Sequence, residues 1–354
     1  MEHQPSKTRV GFVGVGAMGQ CAHLRNYVLL PECEVVAIAE IRPRLRERVQ
    51  ARYGIPKAYA SHEEMLANEV LDAIVAPQPF TRHGTLIPQI LEAGKPVFIE
   101  KPLAASVVMG QRIVEAARKH NTWVMVGYHK RSDPATMEAR ARILALKESN
   151  ELGKLRYVRI TMPAGDWIAS GFDGLITTDE PMPPLEWDAP PSDMDAPTYD
   201  AYVSFVNYYI HQVNLMRYLL GEPYRVTYAD KSGVLLVGES QSGIPCTIEM
   251  SPYTTTIDWQ ERALIAFEHG TITLELPAPL AQNRPGRIEV FHDVPGSVPV
   301  RTCPTLPWVH AMKQQAANFI AAVRGTQPPP CRAEEALLDL EVARDAIRLR
   351  ALQG

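Results

Sequence analysis

Three groups of residues in this 354-residue chain have the type and spacing to do chemistry. The first is Gly14-Val15-Gly16-Ala17-Met18-Gly19, set between the apolar run Arg9 to Val13 and a segment of helical period. A strand, a glycine turn and a helix in that order suit the diphosphate of a dinucleotide. Gly14 permits the tight turn, Gly16 leaves room for the amides of Ala17 and Met18 to approach the phosphates, and Gly19 lets helix and strand pack closely. Glu40, 21 residues beyond Gly19, ends the second apolar run, where a carboxylate can accept from the adenosine ribose hydroxyls. It would repel the 2′-phosphate of NADP, so NAD is the expected cofactor; Arg42, able to pair with that phosphate or stack on adenine, pulls the other way.

The second group is Glu100-Lys101, directly behind the apolar run Pro96 to Ile99. An ionic pair at the carboxyl end of a buried parallel strand sits where open α/β sheets bind ligands, and its ammonium can polarise a substrate oxygen. The third is Asn207, His211 and Asn214, spaced i, i+4 and i+7 and so projecting from one side of a helix. Around these stand lesser candidates. Pro77 and His83, behind the third apolar run, are expected to flank the cofactor. Tyr128 and His129, at the end of the fifth run, would border the nicotinamide or substrate or else pack at the domain junction, and Asp166 with Trp167 offers an acceptor and a stacking face to a sugar.

The elements that must position these groups are legible as patterns. From Thr8 to about Tyr128, short apolar runs (Arg9 to Val13, Glu34 to Ala39, Leu71 to Ala76, Pro96 to Ile99, Trp123 to Gly127) alternate with helical segments. That alternation predicts an α/β unit, a doubly wound parallel sheet covered on both faces. Beyond Gly127 a helix over Pro134 to Glu148, a strand over Leu155 to Met162 and a helix over Asn207 to Leu220 lead into six strand candidates between Arg225 and Phe291 without intervening helices. This predicts an α+β domain on a mostly antiparallel sheet. Two helices, Trp308 to Val323 and Ala333 to Leu352, close the chain. The expected division is 1–128, 129–310 and a helical 311–354. From Ile160 to Met216 there is no Lys or Arg but nine acids, with seven prolines between Pro163 and Pro197. Such a stretch reads as a solvated excursion or as a lid or subunit-contact arm.

Composition narrows the partner. With 46% apolar residues and a formal charge of −4, no global positive field exists to hold nucleic acid or an anionic membrane. No apolar stretch approaches the roughly 18 residues that cross a bilayer. Five scattered cysteines without a CxxC, and a polar N-terminus, fit a reducing, cytoplasmic setting. No HExxH, P-loop or GxSxG motif is present, so no metal is expected.

GFVGVGAMG, Glu40, EKPLA at Glu100 to Ala104, GYHKR at Gly127 to Arg131 and IHQVNLMRYLLGEP at Ile210 to Pro223 together resemble the glucose-fructose oxidoreductase and inositol dehydrogenase (Gfo/Idh/MocA) family. The resemblance implies a Rossmann domain, a second domain on an open sheet that commonly mediates dimer or tetramer contacts, and NAD(P)-dependent oxidoreduction. It implies that Lys101 contacts the reacting oxygen and the nicotinamide ribose, that Glu100 lines the cofactor cleft, and that His211 is the general acid/base. The family helix reads DxxxHxxD, whereas both aspartates here are asparagines. An amide can orient an imidazole but cannot stabilise its charged form as a carboxylate does.

The expected activity is therefore hydride exchange between NAD and a secondary hydroxyl or ketone of a sugar, glycoside or cyclitol, in a homodimer or homotetramer. Lys101 would hold the oxygen, His211 take the proton and Asn207 orient either. The acid-rich stretch would disfavour phosphorylated sugars. Three other readings remain: NAD-dependent glycoside cleavage or epimerisation by transient oxidation, reduction of C=C or C=N bonds, and a non-catalytic NAD-binding regulator.

Overall fold

A computed structural model describes residues 6–353, which fall into two compact units. The first holds the chain up to Gly127, Ser170–Pro191 and Gln315–Leu337; the second holds Tyr128–Ala169, Ser192–Gln314 and the chain from Leu338 on. This differs from the expected three parts. The acid-rich stretch contributes a strap to the first unit, and the C-terminal 311–354 is shared between the two.

The first unit is the expected doubly wound sheet. Six parallel strands, β1 (Thr8–Val13), β2 (Cys33–Ala39), β3 (Lys57–Tyr59), β4 (Ala73–Ala76), β5 (Val97–Ile99) and β6 (Val124–Val126), run in the order β3-β2-β1-β4-β5-β6. Ala73 to Ala76 and Val97 to Ile99 are wholly buried, as strands covered on both faces must be. A π-helical turn, Gly19–Leu24, runs into α1 (Arg25–Tyr27). Then follow α2 (Pro43–Tyr53), α3 (His62–Asn68), α4 (His83–Leu91) and α5 (Val107–Lys119).

The C-terminal segment enters this unit through an aromatic cluster. Phe319 meets Tyr27, Phe98 and Trp123 edge-on at ring separations of 6.4, 5.7 and 5.7 Å, and Phe12 meets Tyr27 at 5.2 Å. The Val126 amide donates to the Cys331 carbonyl at 3.0 Å, tying the segment to the last strand as well. A buried phenylalanine on an aromatic-lined sheet outweighs sequence distance in deciding where a helix belongs.

In the second unit, α6 (Pro134–Ser149) and α7 (Ala196–Leu220) lie on an eight-stranded sheet of β7 (Leu155–Ala164), β8 (Tyr224–Ala229), β9 (Leu235–Ser240), β10 (Pro245–Thr254), β11 (Glu261–Phe267), β12 (Gly270–Leu276), β13 (Arg287–His292) and β14 (Val300–Thr302). Its order is β14-β13-β12-β11-β7-β10-β9-β8, antiparallel except where β10 runs parallel to β7. Helix α7 begins eleven residues before the expected Asn207, because Asp195 caps it by accepting the Thr198 amide at 2.9 Å and Pro197 fits its first turn. The closing helices are α8 (Ala311–Val323) and α9 (Ala333–Ala351). Among the described residues no helix is long and apolar enough to cross a membrane.

Candidate functional site

In the first unit the candidate residues collect at the carboxyl ends of consecutive strands. Gly14 takes φ +94°, which a side chain would strain, and a Cβ there would fall 2.1 Å from the Gln78 amide nitrogen. A Cβ on Gly19 would fall 2.7 Å from the Gly14 carbonyl oxygen, so the helix could not sit this close with any other residue. A Cβ on Gly16 would meet nothing nearer than Arg42 Nη2 at 3.9 Å, so space stays open beside the first-turn amides of Gly16 to Gly19, where a helix has no acceptors of its own. Shape and donor set together fit the diphosphate of NAD.

Glu40 is buried, and its carboxylate accepts the Val15 amide at 3.2 Å and the Arg42 amide and Nε at 3.2 and 2.8 Å. Arg42 is thus paired with Glu40, and a 2′-phosphate there would meet the carboxylate as well as the guanidinium. Glu40→Ala is expected to weaken NADH binding about ten- to hundredfold, equivalent to about 1.5–3 kcal/mol for hydrogen bonds to a charged acceptor. NADPH should lose less; equal losses in a fluorescence titration would show that Glu40 does not set the preference.

Pro77, behind β4, lies 3.4 Å from the position of a Gly19 Cβ. His83 differs from its expected place beside the cofactor. It is fully buried, with Nδ1 3.1 Å from the Leu103 carbonyl and Nε2 3.0 Å from the Gln78 carbonyl, so whichever nitrogen carries the proton donates to main chain. Burial, more than those two bonds restore, lowers its pKa.

Glu100, behind β5, is held by a residue that sequence inspection missed. His23 Nε2 lies 2.5 Å from its carboxylate, and the Lys101 amide donates to the other oxygen at 3.1 Å. Burial pushes the Glu100 carboxyl upward, but the His23 bond and the charges of His23 and Lys101 outweigh it and hold the group below the ordinary carboxylate range. The available signal was His23 four residues after Gly19, on the same helical face. Lys101 therefore follows a carboxylate that stays ionised.

The second unit holds the other candidates. On α7, Asn207 is exposed and His211 is half-buried. The His211 ring packs edge-on against His129 at 4.5 Å and against Tyr128 at 6.0 Å. His129, expected with Tyr128 to border the nicotinamide or substrate or else to pack, is buried against the His211 ring. Tyr128 itself is 2% exposed, a packing position more than a border to solvent. Asn214 departs from the expected stripe: it is buried, accepting Arg131 Nε at 2.8 Å and donating to Asp339 at 2.6 Å. Arg217 closes a bidentate pair on Asp339 at 2.9 and 2.9 Å. A second buried group joins Lys130, Gln212 and the Trp259 indole to Glu261. Asp166 Oδ1 accepts the Ile168 and Ala169 amides at 2.9 and 3.1 Å, forming a turn, and the Trp167 carbonyl accepts the Leu280 amide at 3.2 Å.

Residues 8–128 match the oxidoreductase family described as an NAD-binding Rossmann fold (GFO_IDH_MocA). The scyllo-inositol 2-dehydrogenase (NAD(+)) of Bacillus subtilis is 27% identical over 266 residues, covering 71% of this chain and 68% of that enzyme. The myo-inositol 2-dehydrogenase of Thermotoga maritima is 26% identical over 232 residues, covering 65% of this chain and 60% of that enzyme. The crystal structure of an NAD binding oxidoreductase from Klebsiella pneumoniae superposes with a TM-score of 0.74 at 17% identity, covering 99% of this chain and 98% of that one, which speaks to the fold. The parallel sheet with its glycine turn and Glu40, the family model matched over residues 8–128 and the similarity to inositol dehydrogenases together support an NAD-dependent oxidoreductase of the Gfo/Idh/MocA type.

Proposed function

We propose that the protein exchanges hydride between NAD and a secondary hydroxyl or ketone of a sugar, glycoside or cyclitol. The observation that carries this is the first unit's sheet edge, where the glycine turn, Glu40 and the Glu100-Lys101 pair stand behind β1, β2 and β5. When bound, NAD supplies the hydride acceptor at C4 of its nicotinamide. The rest is the chain's own work. The turn amides hold the diphosphate, Glu40 the adenosine ribose, and the Lys101 ammonium the substrate oxygen as negative charge grows on it. His211 takes the hydroxyl proton, with Asn207 orienting ring or substrate. The Asp166 Oδ2 and the Trp167 ring are the sugar contacts of this reading, and two or four copies form the working assembly.

Incubating the protein with NAD and a panel of cyclitols, aldoses, polyols and glycosides should raise NADH absorbance for at least one. Aglycone release without net NADH would point instead to transient oxidation, and a silent panel would remove the proposal. In His211→Ala, turnover should fall about 10²- to 10⁴-fold, the range for a general acid/base, and the acidic limb of the pH profile should vanish with it. Turnover within threefold of the parent would take the proton-acceptor role from His211.

A further inference from the structure

The strap Ser170–Pro191 is anchored along the sheet edge that holds the dinucleotide turn. Arg25 donates to the Gly171 and Asp173 carbonyls at 3.0 and 2.8 Å. Gln20, next to Gly19, grips Ile176 both ways: its amide donates to the Ile176 carbonyl at 3.0 Å, and its oxygen accepts the Ile176 amide at 3.0 Å. Arg48 donates to the Thr177 carbonyl at 2.7 Å. The Glu180 carboxylate then accepts the Arg44 and Leu45 amides at 3.0 and 3.1 Å, capping α2. The Asp188 carboxylate accepts the Gly84 and Thr85 amides at 2.9 and 2.8 Å, with the Thr85 hydroxyl at 2.9 Å, capping α4. Arg82 donates to the Glu186 carbonyl at 3.0 Å.

Helix α2 follows β2 and α4 follows β4, and in the sheet β1 lies between those two strands. The two acid caps therefore stand on opposite sides of the strand that carries Gly14 to Gly19. Neighbouring strands are about 4.8 Å apart, so β2 and β4 are roughly 10 Å apart. The six-residue step from Glu180 to Glu186 can reach at most about 20 Å and is stiffened by Pro181, Pro183 and Pro184. It has the length to pass over the end of β1 and too little to wander far from it. Three of the acids thus acquire a reason: Glu180 and Asp188 dock on helix N-termini of the first unit, where partial positive charge favours them, and Asp179 pairs with Arg44.

We propose that this strap is a clasp, supplied by the same chain, that encloses NAD seated on the glycine turn, so that cofactor enters and leaves only when the Glu180 and Asp188 caps open. The inference rests on the cofactor placement above and adds a rate to it: exchange of NAD is slow and is set by the strap.

The test is NADH release, measured by stopped-flow fluorescence after mixing the NADH complex with excess NAD. Glu180→Gln with Asp188→Asn is expected to raise both the release and the association rates at least tenfold. Unchanged rates would overturn the clasp. So would tighter binding with unchanged release, which would mark the strap as a competitor for the site. A parent protein that binds no NADH would overturn the cofactor placement and the clasp with it. A second measurement avoids substitution altogether. Because Glu186 is followed by Trp187 whereas Glu180 precedes Pro181, a glutamate-specific protease reports on the strap at the Glu186–Trp187 bond of the unaltered chain. Saturating NAD should slow cleavage at that bond at least tenfold, and equal cleavage with and without NAD would sink the proposal.

Discussion

Lys101→Met is expected to lower kcat by about 10²- to 10³-fold while NADH binding stays within about threefold, the range for removing one preorganised charge that acts on developing negative charge. The reasoning starts from Glu100. Its carboxylate is buried, bonded to His23 and to the Lys101 amide, and stays ionised, which gives the ammonium beside it a fixed counter-charge. Methionine keeps the length of the side chain and removes only that charge. The diphosphate cradle at Gly14 to Gly19 and the Glu40 carboxylate belong to other strand ends, so cofactor affinity has no reason to follow. Lys101→Arg should rescue little, because a planar fork delivers its donors in a different geometry from a point charge. Single-turnover hydride transfer, read as NADH absorbance, separates this from slow product release. A single-turnover rate within threefold of the parent would refute the assignment, and a loss confined to KM would make Lys101 a binding residue with no role in charge development.

What the sequence disclosed and what it hid divide along chain distance. The glycine turn, Glu40 and Glu100-Lys101 were legible because each directly follows an apolar strand run, and strand ends in a parallel sheet share one edge. His23 with Glu100, Arg131 with Asn214 and Arg217 with Asp339 were not, since 77 to 122 residues separate the partners and no periodicity links them. The acid-rich stretch misled for the same reason. Its composition suggested a surface that would repel phosphorylated sugars, yet Glu180 and Asp188 have partners in α2 and α4, more than 100 residues away. Helical spacing failed more subtly on α7. It correctly put Asn207, His211 and Asn214 on one side, but one side of a 25-residue helix need not have one environment along its length, and burial deepens from the exposed Asn207 to the buried Asn214.

Asp339→Ala should cost about 3–5 kcal/mol of stability, because it removes one partner of a buried ion pair and leaves the other charged. Asp339 is fully buried and Arg217 nearly so, and their bidentate pair, joined by the Asn214 amide, holds the carboxylate in place. In urea the midpoint should fall with the slope unchanged. Replacing both partners by apolar residues, Asp339→Leu with Arg217→Met, should recover most of the loss, since no lone charge then remains. If the double variant is as unstable as the single one, packing and not charge explains the effect. The same network accounts for the asparagine at position 214. Its amide must accept from Arg131 at 2.8 Å and donate to Asp339 at 2.6 Å, and only a side chain with both functions can do so. Asn214→Asp would set two carboxylates against each other in a buried site, so its destabilisation should ease as pH falls and one of them takes a proton. Asparagine at position 214 is then a consequence of where Arg131 and Asp339 sit.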